Sequence, residues 1–198
     1  MNQETKETNS QPSLNFSKLS QDDSFFLTQK TLQLYKEKDI QVLMNLLRLK
    51  EPEAYIHSLR VASLMDEAFQ SDEEILRGAL LHDIGKLSVP FSLSLYPRGL
   101  TENERKIMDI HTALGAEILI GYSDTVLNCV KYHHDGTYPV EYVQELRACD
   151  IFDALISERP YRPASSMENT MMIMIEMGID IKYLNAIAKA KGLTPIKN

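Results

Sequence analysis

The chain has 198 residues, 43% of them hydrophobic and 25% charged, which allows one globular domain with a sizeable core. Its net charge of −7 and pI near 5.3 argue against binding a DNA or RNA polymer, which needs a basic surface, but leave room for a small phosphorylated ligand met by metal ions. No apolar run reaches the roughly 20 residues that span a bilayer, and the polar start MNQETKETNSQPS is not a secretory signal, so no membrane is expected and the cytoplasm is the default location.

Residues 1–20, rich in Asn, Gln, Ser, Thr and Lys, are expected to form a flexible tail. Helical spacing begins in the segment 21–50, with Phe26, Leu27, Thr31, Leu32 and Leu34, then Ile40, Val42, Leu43, Leu46 and Leu47. The main unit, 51–198, opens with a helix from Pro52, whose missing N–H costs nothing in a first turn, to Phe69. Ser71 with Glu74 reads as a capping box for a helix that stops near Gly85. Pro90, Pro97 and Gly99 make 86–100 a loop, and Thr101 with Glu104 is a second capping box for a helix to about Ile120. Gly121 ends it, and Ser123 or Asp124 starts a helix reaching His134. Asp135–Pro139 is a turn, and helices follow over about 141–156, 166–177 and 180–190. No alternating strand of useful length occurs, so the class is all-α.

Cys129 and Cys149 form no CxxC pair and read as small core residues, in keeping with a reducing compartment. The Met-rich run 167–177 reads as core or groove packing.

The chemistry lies in the histidines: His57, His82, His111, His133 and His134 are all the chain has. Each falls in a predicted helix or at its end, mostly beside a carboxylate or another histidine. Asp83 follows His82, Asp135 follows His134, and Glu53 shares a helix face with His57 four residues on. Asp150 and Asp153, three apart, share another face. A lone helical histidine is more often a core or surface group than a ligand, and His⁺ beside a helix C-terminus is stabilised without any metal. Such accounts would have to hold separately for every histidine in the chain. Imidazoles with carboxylates suit first-row divalent ions such as iron, manganese or zinc, and two ions ~3.5–4 Å apart can clamp a phosphate.

Five ordered blocks resemble the HD-GYP branch of the HD-domain phosphohydrolases, bacterial phosphodiesterases of cyclic dinucleotides. They are Glu53 to Ala62, HDIGKLSVP at 82–90, LYPRGLTENE at 95–104 leading to His111 and Gly115, His133 to Pro139, and Asp150 to Leu155 followed by Arg159-Pro160-Tyr161-Arg162. The resemblance implies an HD-domain helical bundle over 51–198 with a short helical extension before it. It implies His57, His82, Asp83, His111, His133, His134 and Asp150 as metal ligands, with Asp83 bridging, and Glu53 as the ligand of a third ion. It implies Lys86 at the scissile phosphate and Arg159 and Arg162 near the substrate's phosphates and bases. Two or three divalent ions are expected, iron or manganese first, with zinc, nickel or magnesium as other options.

The implied reaction is attack of a metal-bridging hydroxide on a cyclic dinucleotide, cyclic di-GMP first. Hydrolysis of another nucleotide and a weakly catalytic nucleotide-binding signalling module stand as alternatives, and a homodimer or a signalling-protein partner fits the family. Two departures bear on this. The segment after His134 is shorter than the family's, with Thr137 where a glycine precedes Tyr-Pro, and Pro163 follows Arg162 where the family often has a basic residue. Threonine disfavours positive φ, and in the family this loop borders the substrate pocket.

Overall fold

The computed structural model describes residues 23–90, 93, 99–158 and 163–196, and the predicted tail lies outside them. The described residues are all-helical, as expected. After a 3-10 turn at Asp23–Phe26 come α1 (Gln29–Tyr35), α2 (Lys38–Lys50), α3 (Pro52–Phe69) and α4 (Glu73–Leu81). A 3-10 turn at Ile84–Ser88 leads on to α5 (Glu102–Asp109), α6 (His111–Ile118), α7 (Asp124–Tyr132), α8 (Glu141–Ile156), α9 (Met167–Glu176) and α10 (Ile181–Ala190).

α3 is the hub because most of its faces are buried: Tyr55, Leu59, Val61, Ala62 and Met65 are almost fully so, and His57, Ser58 and Ser63 are buried with them. It packs against α2, α4, α8 and α10. α1 and α2 add Leu34, Tyr35, Ile40, Met44 and Leu47 to the same core, so the N-terminal helices are part of the bundle. α4 lies close on α7 because residue 78 is glycine, where a Cβ would meet Cys129 Cβ at 2.5 Å. Both cysteines are free and buried, as expected. Met171 and Met174 are buried, while Met172 and Met177 are exposed, so the Met-rich run is core on one face only.

Local structure departs from the sequence expectation in four places. The Thr101–Glu104 capping box is present, but the one at Ser71 is not. Asp72 takes the N-cap position of α4, while the Ser71 hydroxyl donates to the Met65 carbonyl in the last turns of α3 (3.3 Å). Glu74 accepts from Arg77 and Ser123 instead. A two-residue link follows Gln70, itself left-handed at φ 53°, and within it the Ser71 hydroxyl is bonded back to α3. The helix predicted over 101–120 breaks at Ile110 into α5 and α6. The loop expected from residue 86 begins as a 3-10 turn, and α7 stops at Tyr132, leaving His133 as its cap. No described helix is long and apolar enough to cross a membrane.

Candidate metal centre

Three of the histidines stand at helix ends, and for one reason. The last carbonyls of a helix have no N–H four residues ahead to pair with. His82 caps α4 and donates from Nδ1 to the Ala79 carbonyl at 2.8 Å. His133 caps α7 and donates to Val130 at 2.9 Å. His111, just past the end of α5, donates to Met108 at 2.7 Å. Each contact spends the Nδ1 proton on the backbone and leaves an Nε2 lone pair pointing into the bundle.

These lone pairs converge. His57, His82 and Asp83 bring potential ligand atoms within 4.8 Å of one another, and so do His111, His133 and His134. Asp83 stands between the triads, its Oδ1 3.3 Å from His111 Nε2 and its Oδ2 3.6 Å from His82 Nε2. Asp150, from α8, reaches both sides as well, with Oδ1 2.9 Å from His57 Nε2 and Oδ2 3.7 Å from His134 Nδ1. Five helices thus supply the cluster. His57, His82, Asp83, His111 and His133 are all buried, while the His134 side chain is half exposed.

Two observations show that this donor set suits cations. The buried Nε2 of His82 has no hydrogen-bond partner, although an unpaired buried acceptor is costly. The Nε2 atoms of His111 and His133 face each other at 3.3 Å with both Nδ1 protons already committed, an arrangement that only a proton or metal ion between them makes favourable. Imidazole with carboxylate is a ligand set for divalent iron, manganese or zinc.

Protonation follows the same logic. Burial pushes His82, His133 and His134 below the usual imidazole range, His133 furthest, so all three favour the neutral, ligating form. Burial would lower His57 too, but its hydrogen bonds to Asp150 and Asp153 prevail and hold it up at about 9. Burial opposes the charged forms of Asp83 and Asp150, yet both carboxyls lie below the usual carboxylate range. Lys86 and the imidazoles of His82 and His111 hold down Asp83, and His57 holds down Asp150.

A cavity of about 530 Å³ opens onto the cluster, within the size range of small-ligand sites. His57, Asp83, His111, His134 and Asp150 stand in its wall. Lys86 also lines it, from the 3-10 turn, with Nζ 2.5 Å from Asp83 Oδ2. Lys50 of α2 secures that turn by donating to the carbonyls of Lys86, Leu87 and Val89 (3.1, 2.5 and 2.6 Å). Glu53 lines the cavity too but is exposed, and belongs to neither triad. Arg159 and Arg162 lie outside the described residues. Leu93, Leu100, Met108, Ile151 and Leu155 add apolar surface to the lining.

The short segment after His134 differs from its expected position. Residues 135–139 take no part in the cavity wall. The loop folds on itself: the Thr137 N–H and hydroxyl both donate to Asp135 Oδ1 (2.8 and 2.7 Å), and Tyr138 stacks on Tyr132 at 4.0 Å. Thr137 has no positive φ, so the missing glycine imposes no strain there.

Asp153, Arg60, Glu51 and Arg105 stand at the site without a role expected from the sequence. Asp153 meets His57 and Arg60, and Glu51 and Arg105 line the cavity. The Asp150–Asp153 spacing carried a signal for Asp153. Nothing in the pattern around Arg105 marks it.

Comparison with known proteins agrees with this geometry. The HD domain family matches residues 54–157, just over half of the chain. A cyclic di-GMP phosphodiesterase of Pseudomonas aeruginosa is 32% identical across 78% of this chain and 44% of its own length. A cyclic di-GMP phosphodiesterase response regulator of Xanthomonas campestris pv. campestris is 35% identical across 54% of this chain and 34% of its own. A 3′3′-cGAMP-specific phosphodiesterase of Vibrio cholerae is 34% identical across 81% and 40% respectively. The chain therefore spans less than half the length of each of these relatives. They bear out the resemblance to cyclic-dinucleotide phosphodiesterases read from the five sequence blocks. With the His82-Asp83 pair at the heart of an all-helical bundle and the family's match running from α3 to the end of α8, the chain belongs to the HD-domain family.

Proposed function

We propose that this chain is a metal-dependent phosphodiesterase that hydrolyses a cyclic dinucleotide, cyclic di-GMP first. The observation that carries the reading is the pair of ligand triads joined through Asp83, with Lys86 at the same carboxylate and a cavity in front. Iron(II) or manganese(II) is the proposed metal. When bound, two such ions supply an activated water and Lewis acidity at a phosphate oxygen.

The chain's own residues do the rest. His57, His82 and Asp83 hold one position, and His111, His133 and His134 the other, while Asp83 and Asp150 reach across both. Glu53, at the cavity wall beside His57, serves a third position. Lys86 offers a compact positive charge that can pass from Asp83 to a phosphoryl oxygen as negative charge builds there. The apolar lining residues, Leu100, Met108 and Ile151 among them, offer a nucleobase surface to lie on and limit water around the phosphate. Arg159 and Arg162 are proposed to meet the substrate's phosphates and bases. The buried free thiols suit a reducing cytoplasm.

The test is anaerobically purified protein, its metals counted by elemental analysis, incubated with cyclic di-GMP and iron(II) or manganese(II). Linear dinucleotide or GMP should appear by chromatography and be lost in His82→Ala and Asp83→Ala. Bound metal without product would transfer the reading to another cyclic dinucleotide, cGAMP first. Product retained in full by Asp83→Ala would overturn the assignment.

A further inference from the structure

His57 is oriented differently from the three histidines at helix ends. It is the sixth residue of α3, where a regular helix commits the Ala54 carbonyl to the N–H of Ser58. No carbonyl is free to take its Nδ1 proton. That proton goes across the bundle to Asp153 Oδ2 on α8, at 2.7 Å.

Asp153 is itself fixed. Arg60, three residues beyond His57 on α3, donates from Nε to Oδ1 at 2.7 Å and from Nη2 to Oδ2 at 2.8 Å. The same Nη2 reaches the Ser157 hydroxyl at 2.8 Å. This two-pronged fork sets the plane of the carboxylate, as a single charge could not. Asp153 is buried, whereas the Arg60 side chain is 30% exposed.

We infer that Asp153, clamped by Arg60, is the positioning residue of the His57/His82/Asp83 half of the metal centre, and that the His111/His133/His134 half is independent of it. The inference rests on the metal-centre reading above. A carboxylate behind a ligating imidazole fixes its tautomer and ring direction and raises its basicity, and losing one typically weakens metal binding 10–100-fold. His82, His111 and His133 get the same service from backbone carbonyls, which no side-chain substitution removes. The two halves of the centre therefore differ in what supports them.

The experiment titrates the metal-free full chain with manganese(II), following free ion by electron paramagnetic resonance and bound ion by elemental analysis. Asp153→Asn keeps the shape of the side chain and removes its charge. One ion should bind about 10–100-fold more weakly while another keeps its wild-type affinity. Arg60→Gln should weaken the same ion by less, and Arg60→Lys should recover part of that loss. Helix content by circular dichroism checks folding. If Asp153→Asn does not fold, the partly exposed Arg60 supplies the comparison. Unchanged affinity for both ions would overturn the inference, as would equal weakening of both. A wild-type chain that binds neither manganese(II) nor, in the same anaerobic titration read by elemental analysis, iron(II) would instead overturn the metal-centre reading.

Discussion

At the scale of single residues, Gly85 has no room for a methyl group. A Cβ there would meet the His111 carbonyl oxygen at 1.8 Å and the Gly115 nitrogen at 2.5 Å, both backbone atoms of α6. Relief requires α6 to move, and His111 moves with it. Gly85→Ala should cost at least about 1–3 kcal/mol by urea unfolding and weaken metal binding as well; a variant with wild-type stability would contradict this close approach. Cys129 is a second case. Burial pushes its thiol up to about 12 from an ordinary 9.0. The folded state thus resists ionisation that the unfolded chain accepts, so this group's contribution is intact below pH 9 and is lost as pH rises from about 9 to about 12. Stability measured across that interval should fall less steeply in Cys129→Ala than in wild type, and parallel profiles would rule the effect out. The same burial keeps the native thiol unreactive toward thiol reagents at pH 8.

At the scale of elements, α5 owes its start to Thr101. The hydroxyl accepts from the Glu104 N–H at 3.3 Å while the Glu104 carboxylate accepts from the Thr101 N–H at 2.8 Å. α5 buries none of its residues, so packing adds little to this cap. Thr101→Ala removes about 1 kcal/mol of local stability, expected as faster amide exchange in residues 102–106 with little change in global unfolding. The loop after His134 is the other informative element. Thr137 closes it through two hydrogen bonds to Asp135, and Gln144 donates to the carbonyls of Asp135 and Tyr138 (2.8 and 2.9 Å). Thr137→Gly should destabilise the protein by roughly 0.4–1 kcal/mol through added freedom of the unfolded chain and lost contacts. Turnover should stay unchanged, since the loop lies off the cavity wall; a changed KM would show that substrate reaches it.

At the scale of the molecule, the bundle is held by one apolar core and by a polar cluster drawn from five helices. α3 serves both, with Leu59, Val61 and Met65 in the core and His57 and Arg60 at the centre. Without a cation the cluster leaves the His82 Nε2 unpaired and the His111 and His133 Nε2 atoms facing each other. A metal that binds only the folded state stabilises it by mass action, about 2.7 kcal/mol at a hundred times its dissociation constant. Chelation should therefore lower the melting temperature, and manganese(II) should restore it. A melting temperature indifferent to both would mean that the cluster holds no ion.

The class, the order of the helices and most of the side chains that the fold gathers into one cluster were legible in the chain itself. Helical spacing is a local property, and five histidines beside carboxylates at ordered positions leave few other readings. Local signals failed where one segment's polar groups are taken by another. Ser71 has the spacing of a cap, but its hydroxyl goes to the end of α3, and the helix expected over 101–120 divides at Ile110, just before His111 comes against Gly85. Residue type and helix face are carried along the chain, and they are enough to mark which side chains could ligate. Which nitrogen each histidine presents, how Asp83 and Asp150 divide their oxygens, and that Asp153 and Arg60 stand behind His57 come from the packing of the helices. Those choices depend on which carbonyl or carboxylate arrives from a neighbouring helix, and spacing along one chain does not encode the direction of a ring.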